Sequence, residues 1–305
     1  MPTQPLESIL YRELSIANAR DIIQVVSPLL QELVNYSTNM FARAATSAGN
    51  GPENTATLLL YLHIIEMTDG IEILVSQSCP VPAIPLLRSS FEALLGIEYI
   101  LEEQYENRSL AWLVEFIHKR LSLYQSYDPT TPEGRKLQKT LSEDEIGSSV
   151  TLSYPTEFDD FRSNYERLLN SPQFQPVQRE FQKCKKENKG RMPNWYQLFG
   201  PASPQKSPIN LEQLATHVNN GGMYEILYRM WSSIQHAHEP ARFLTTTSRG
   251  TQAIRQLRNP NQIIEVTNFA EVFIVKATGL ILQKFRAGEE KSFFDWYQRE
   301  VKRPT

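Results

Sequence analysis

Apolar residues recur every three to four positions along most of this chain, the period of an amphipathic α-helix, and the period-two alternation of a strand is almost absent. Between residues 21 and 46 the positions Ile23, Val26, Leu29, Leu30, Leu33, Val34 and Phe41 mark one helical face, and Gly49-Asn50-Gly51-Pro52 stops it. A second helix is predicted over about 54–77. Cys79-Pro80-Val81-Pro82 then makes a tight corner, so the second and third helices should pack as an antiparallel hairpin. The third, over 83–103, is apolar on nearly every side and should be central. A fourth spans 107–127, and a polar, peripheral stretch begins at Pro132.

Thr156-Glu157-Phe158-Asp159 reads as an N-cap that opens a further helix, interrupted near Pro172 and Pro176. Residues 183–208 read as a long ordered loop. Asn210 caps a short helix, Gly221-Gly222 separates it from the next, Glu239-Pro240 ends that one, and Asn259-Pro260 precedes a long apolar helix from Ile263 to Phe285. The fold class expected is all-α: a multi-helix bundle with an antiparallel helical-hairpin core and peripheral helices. The whole chain, 1–305, reads as one domain with its core at about 21–127 and 210–287, and with peripheral helices and loop at 128–209.

Within this pattern, Tyr228 to His238 carries functional side chains rather than core ones. Arg229 and His236 lie seven residues apart, so on a regular helix they share a face with Ser232, about 10 Å apart along the axis. Such a pair can neutralise a phosphodiester and move a proton. The structural alternative is that Arg229 pairs with Glu225 four residues earlier and that Ser232 and His236 hydrogen-bond inside a bundle. Arg88 and Glu92 share a face of the apolar third helix, and with Asp69, Tyr228, His236 and His238 they form a candidate polar centre, either an ion-pair network or part of a binding site.

Composition narrows the choice. A net charge of −3 excludes a protein that coats nucleic acid non-specifically, so any RNA contact must be local. The one basic and aromatic segment holds Lys185, Lys186, Lys189 and Arg191, followed by Trp195 and Tyr196; it would track an RNA backbone, or else be a solvated helix end whose rings cover the core. Two separated cysteines exclude a disulfide scaffold, and no leader or membrane span is read, so a cytoplasmic protein without membrane contact is expected. Glu115-x-x-His118 has di-iron spacing but no second copy. No Walker, dinucleotide or Gly-x-Ser-x-Gly motif is present, and no metal or cofactor is expected.

Trp195-Tyr196, the Leu211 to Ala215 helix and the Tyr224-x3-Tyr228-x3-Ser232-x3-His236 spacing, with Arg88-x3-Glu92 upstream, resemble the bacterial family called domain of unknown function 5677, over roughly residues 55 to 285. That resemblance implies a helical fold. Arg229-x6-His236 is also similar to the Arg-x4-6-His signature of the HEPN superfamily, although Met230 stands where its active members usually carry a polar residue. The second resemblance implies a metal-independent endoribonuclease, a toxin or phage-defence effector, in which two protomers juxtapose their Arg-His pairs. A homodimer or higher homo-oligomer is then expected. The alternative is a non-catalytic helical module that binds a protein partner or small ligand at the polar centre.

Overall fold

The computed structural model describes residues 3–149, 155, 157–201, 206–231, 243–246, 250 and 252–302. They form an all-α multi-helix bundle fold with one two-stranded sheet. The helices are α1 (Arg12–Asn18), α2 (Arg20–Ala48), α3 (Thr55–Ser76), α4 (Pro80–Glu102), α5 (Tyr105–Tyr127), α6 (Pro132–Glu143), α7 (Glu157–Leu169), α8 (Gln175–Glu187), α9 (Leu211–His217), α10 (Gly221–Tyr224), α11 (Ile263–Phe285) and α12 (Glu290–Trp296). Contacts divide the chain into two compact units, one of residues 1–102 and 210–305, the other of residues 103–209.

In the first unit α2, α3, α4 and α11 supply the core. The α3–α4 hairpin follows from its corner: the Cys79 amide bonds the Leu74 carbonyl at 2.8 Å and the Ser78 amide bonds Val75 at 2.9 Å, with Ser78 at φ 55°. This Schellman ending satisfies the last carbonyls of α3, and Pro80, which lacks an amide hydrogen, starts α4 where none is needed. Apolar α4 is buried along most of its length, from Ile84 and Leu87 through Phe91, Leu95 and Tyr99, and Phe91 meets Phe273 of α11 at 5.6 Å between ring centroids. Polar groups in this core are bonded together. The Tyr61 hydroxyl and Thr278 Oγ1 are 2.9 Å apart, Thr278 also meets Ser37, and burial pushes the Tyr61 phenol up to about 12.

One small element adds to the all-α reading, and one expectation needs correction. Strands β1 (Leu244–Thr246) and β2 (Gln252–Ile254) pair antiparallel, Leu244 opposite Ile254. At three residues each, with the end side chains exposed, they are too short to leave an alternating apolar pattern. The loop expected from 183 begins only after Glu187, because α8 continues through the lysines.

The second unit is built on α5, against which α6, α7, α8 and the 3₁₀ turn Trp195–Gln197 pack. Arg108 is 1% exposed, its Nε bonded to the Phe199 carbonyl at 3.1 Å and its Nη2 to Glu103 at 2.9 Å. His118 stacks on Phe181 of α8 at 4.3 Å between centroids and bonds Gln178 at 2.9 Å, and its burial lowers its pKa.

Candidate functional site

The polar positions of α4 are met in turn by the segment that runs past it from α9. His217 Nε2 lies 2.7 Å from Glu102 Oε2, the Asn220 amide donates to Glu98, and Tyr228 reaches Glu92 and Arg88. As residue numbers rise from 217 to 228 the partners on α4 fall from 102 to 88, so the two run antiparallel. Asn210 starts this run by accepting the Gln213 amide at 2.9 Å, as its sequence position predicts. Leu227 and Trp231 hold its far end down: both are buried, and Trp231 meets Phe269 of α11 edge-on at 5.5 Å.

Tyr228 is the hub of the cluster that joins the two residues on α4. Its hydroxyl donates to Glu92, the Arg88 guanidinium lies 4.0 Å from its ring centroid, and Tyr224 stacks in parallel 4.7 Å away. Arg88 is buried as expected, whereas Glu92 is exposed, so the pair does not place two charges in the core. Burial first, and the Glu92 carboxylate second, hold the Tyr228 phenol well above its ordinary range. Below about pH 10 the folded and unfolded phenols are both protonated; above it only the unfolded one ionises, so this contribution to stability is lost as the pH rises. Tyr228→Phe should therefore unfold with a shallower alkaline dependence than wild type, followed by circular dichroism. Equal slopes would refute this role.

Two polar groupings escaped the sequence reading. Glu98 receives both Asn220 and the Lys276 ammonium, and burial raises its pKa against their opposing effect. His217 completes the other with Glu102, its ring edge-on to Tyr99 at 5.4 Å. The only local signal was the i, i+4 spacing of Glu98 and Glu102 on α4; their partners are more than a hundred residues away.

The segment bearing Arg229 is not a regular α-helix. After the single α-turn of α10 the residues Glu225–Met230 are π-helical, and the Trp231 amide bonds Ile226, five residues back, at 3.2 Å. Through Met230 the turn is therefore wider than the 100° step of an α-helix. Arg229 is 61% exposed, its Nε 2.9 Å from Glu225 and its Nη2 3.0 Å from Glu212 of α9. The Glu225 pairing is the one its spacing predicts. Ser232, His236 and His238 lie outside the described residues.

Asp69 is exposed on α3 and makes no bond to Arg88, Glu92 or Tyr228 among the described residues, because its position faces away from the α4 side of the helix. In the second unit Lys185 and Lys186 occupy the last turn of α8, where its carbonyls favour cations, and Lys189 and Arg191 follow on the surface. Trp195 and Tyr196 are each 8% exposed, and the Trp195 amide bonds Glu115 at 3.1 Å. They cover the core and offer no open face to a base. Glu115 also holds Lys119 at 2.6 Å, so it and His118 are committed to separate partners. Among the described residues no group of three His, Cys, Asp or Glu stands close enough to hold a metal, and no helix is long and apolar enough to cross a membrane.

No curated protein and no solved structure matches the chain. A family model does, over residues 54–250, which takes in the α3–α4 hairpin, the buried Trp195-Tyr196 turn and the Tyr224 to His236 motif, and stops before α11. Since it covers more than half of the sequence, the chain belongs to this family, described as a family of unknown function, DUF5677.

Proposed function

We propose that the protein is a HEPN-like, metal-independent endoribonuclease, a cytoplasmic toxin or phage-defence effector that works as a homodimer or higher homo-oligomer. The observation that carries this reading is the setting of Arg229: its guanidinium stands in solvent on a π turn, just before Ser232 and His236 in the chain, and its partners among the described residues are two exposed carboxylates. Exposed ion pairs contribute about 0–1 kcal/mol each, so an RNA phosphate can take the place of Glu212 at little cost. Glu225, four residues earlier, keeps the guanidinium oriented meanwhile.

In the reaction the ribose 2′-oxygen attacks the adjacent phosphorus and the bond to the 5′-oxygen breaks, leaving a 2′,3′-cyclic phosphate and a 5′-hydroxyl. His236, whose imidazole can accept a proton at one step and return it at the next, moves the proton from the 2′-hydroxyl towards the leaving oxygen. Arg229 neutralises charge gathering on the non-bridging oxygens, and Ser232 orients the imidazole. Exposed Leu59, Leu62 and Ile73 on α3 provide apolar surface for self-association.

The test incubates end-labelled RNA with purified protein in EDTA, comparing wild type with His236→Ala. Cleavage that leaves a cyclic phosphate and is absent from the variant is the expected result. If wild type cleaves no RNA, alone or with cellular extract, the reading fails. A second reading, a non-catalytic module binding a protein partner or small ligand, is favoured by the Arg88, Tyr228 and Glu92 cluster, which gathers a cation, a phenol and an exposed carboxylate at one place. It predicts no cleavage and partner binding sensitive to Arg88→Ala.

A further inference from the structure

A cavity of about 570 Å³ lies in the second unit at the C-terminal end of α8. Its cations are Lys189 and Arg191; its amides come from Asn188, Asn194 and Gln197; Met192 and Ile209 add apolar surface, and Glu187 adds one carboxylate. The size suits a nucleotide-sized ligand.

The backbone around it is fixed at both ends. The Gly190 amide bonds the Lys185 carbonyl at 2.9 Å and the Lys189 amide bonds Lys186 at 3.1 Å, a Schellman ending with Lys189 in the left-handed region at φ 57°. Glycine is the favoured residue there, because a β-carbon crowds the neighbouring carbonyl. Lysine at this position, with a glycine directly after it, therefore carries local backbone strain, which fixes where its side chain leaves the loop. At the other end Asn194 and Gln197 form a capping box, the Asn194 amide bonding Gln197 Oε1 at 2.8 Å and its side chain reaching the Ile209 carbonyl at 3.2 Å. The buried Trp195 and Tyr196 anchor this turn, so the cavity wall is formed before any ligand arrives.

We propose that this cavity binds a ribonucleoside phosphate, free or within an RNA strand. Lys189 and Arg191 take the phosphate, with Lys185 and Lys186 adding to the field. Met192 and Ile209 cover the base, and the side-chain amide of Asn188 meets its polar edge. Glu187 would repel a bare anion, and it has a use where hydroxyls must be accepted, so it takes the ribose. The site lies in a different unit from Arg229 and is measured by binding, so it stands or falls separately from the nuclease reading.

The test titrates the full chain with AMP, dAMP and inorganic phosphate by calorimetry, and with fluorescein-labelled single-stranded RNA by anisotropy. AMP should bind saturably and more tightly than dAMP, with the preference reduced in Glu187→Gln. Lys189→Gly should weaken binding about tenfold, as for one charge-assisted contact, while raising the thermal midpoint because the strain is relieved. Arg191→Ala should weaken it similarly. AMP binding marks a site for free nucleotides; binding of RNA alone, lost in Lys189→Gly, marks one for a strand. Saturable binding of neither, inorganic phosphate binding as tightly as AMP, or unchanged affinity in Lys189→Gly would overturn the proposal.

Discussion

Arg229→Ala is expected to lower RNA cleavage about 10²–10³-fold, the usual cost of removing one donor to a developing oxyanion, without unfolding the protein. The geometry separates the two effects. Both ion pairs of Arg229 are solvent-exposed, on side chains 61%, 48% and 51% accessible for Arg229, Glu212 and Glu225. Their joint loss should cost no more than about 1–2 kcal/mol. The companion substitution is Glu212→Gln, which frees one edge of the guanidinium. If a phosphodiester competes with Glu212, this variant should cleave about two- to fivefold better at low substrate, since an exposed pair is worth no more than ~1 kcal/mol. Cleavage falling equally in both variants would mean that the pair only shapes the turn, and Arg229 would lose its catalytic assignment.

Arg108→Leu is expected to destabilise the second unit by about 2–4 kcal/mol, because the Phe199 carbonyl and the half-buried Glu103 lose their donor and the space around a sealed side chain is refilled imperfectly. Among the described residues Arg108 is the bulkiest fully buried side chain, and its guanidinium ties the Phe199 carbonyl to Glu103. Leucine supplies no donor for that carbonyl and leaves part of the volume empty. Arg108→Lys should recover little, because one ammonium cannot match a planar fork aimed at two acceptors. Native-state hydrogen exchange at the amides of α5 and α8, both in the second unit, reads the change directly. A shift below about 1 kcal/mol would show that the site collapses around the smaller side chain.

The residues that were legible in the sequence are those whose partners are close along the chain. Ile23 to Phe41 predicted α2, Cys79-Pro80 predicted the α3–α4 corner, Asn210 predicted its own cap, and Glu225 predicted its pairing with Arg229, because each rests on helical period or on a contact within a few residues. The π turn at Glu225–Met230 left no trace in the apolar spacing, because one extra residue in a turn does not change which side chains are apolar. Tyr228 illustrates the middle case. Its place in a motif was readable, but its donation to Glu92 spans 136 residues.

By itself, then, the sequence determined an all-α bundle, the hairpin that organises it, and membership of a family through motifs spread from the α3–α4 hairpin to His236. These follow from period, turn chemistry and spacing, which are properties of neighbours. The tertiary structure decided which charges are sealed and which are open: Arg88 and Arg108 buried, Glu92, Asp69 and Arg229 exposed, Trp195 and Tyr196 turned inwards, and a cationic cavity beyond α8. Burial and long-range pairing depend on how the helices pack, and the free energy that rewards such packing acts between segments too far apart in the chain for any local pattern to record it.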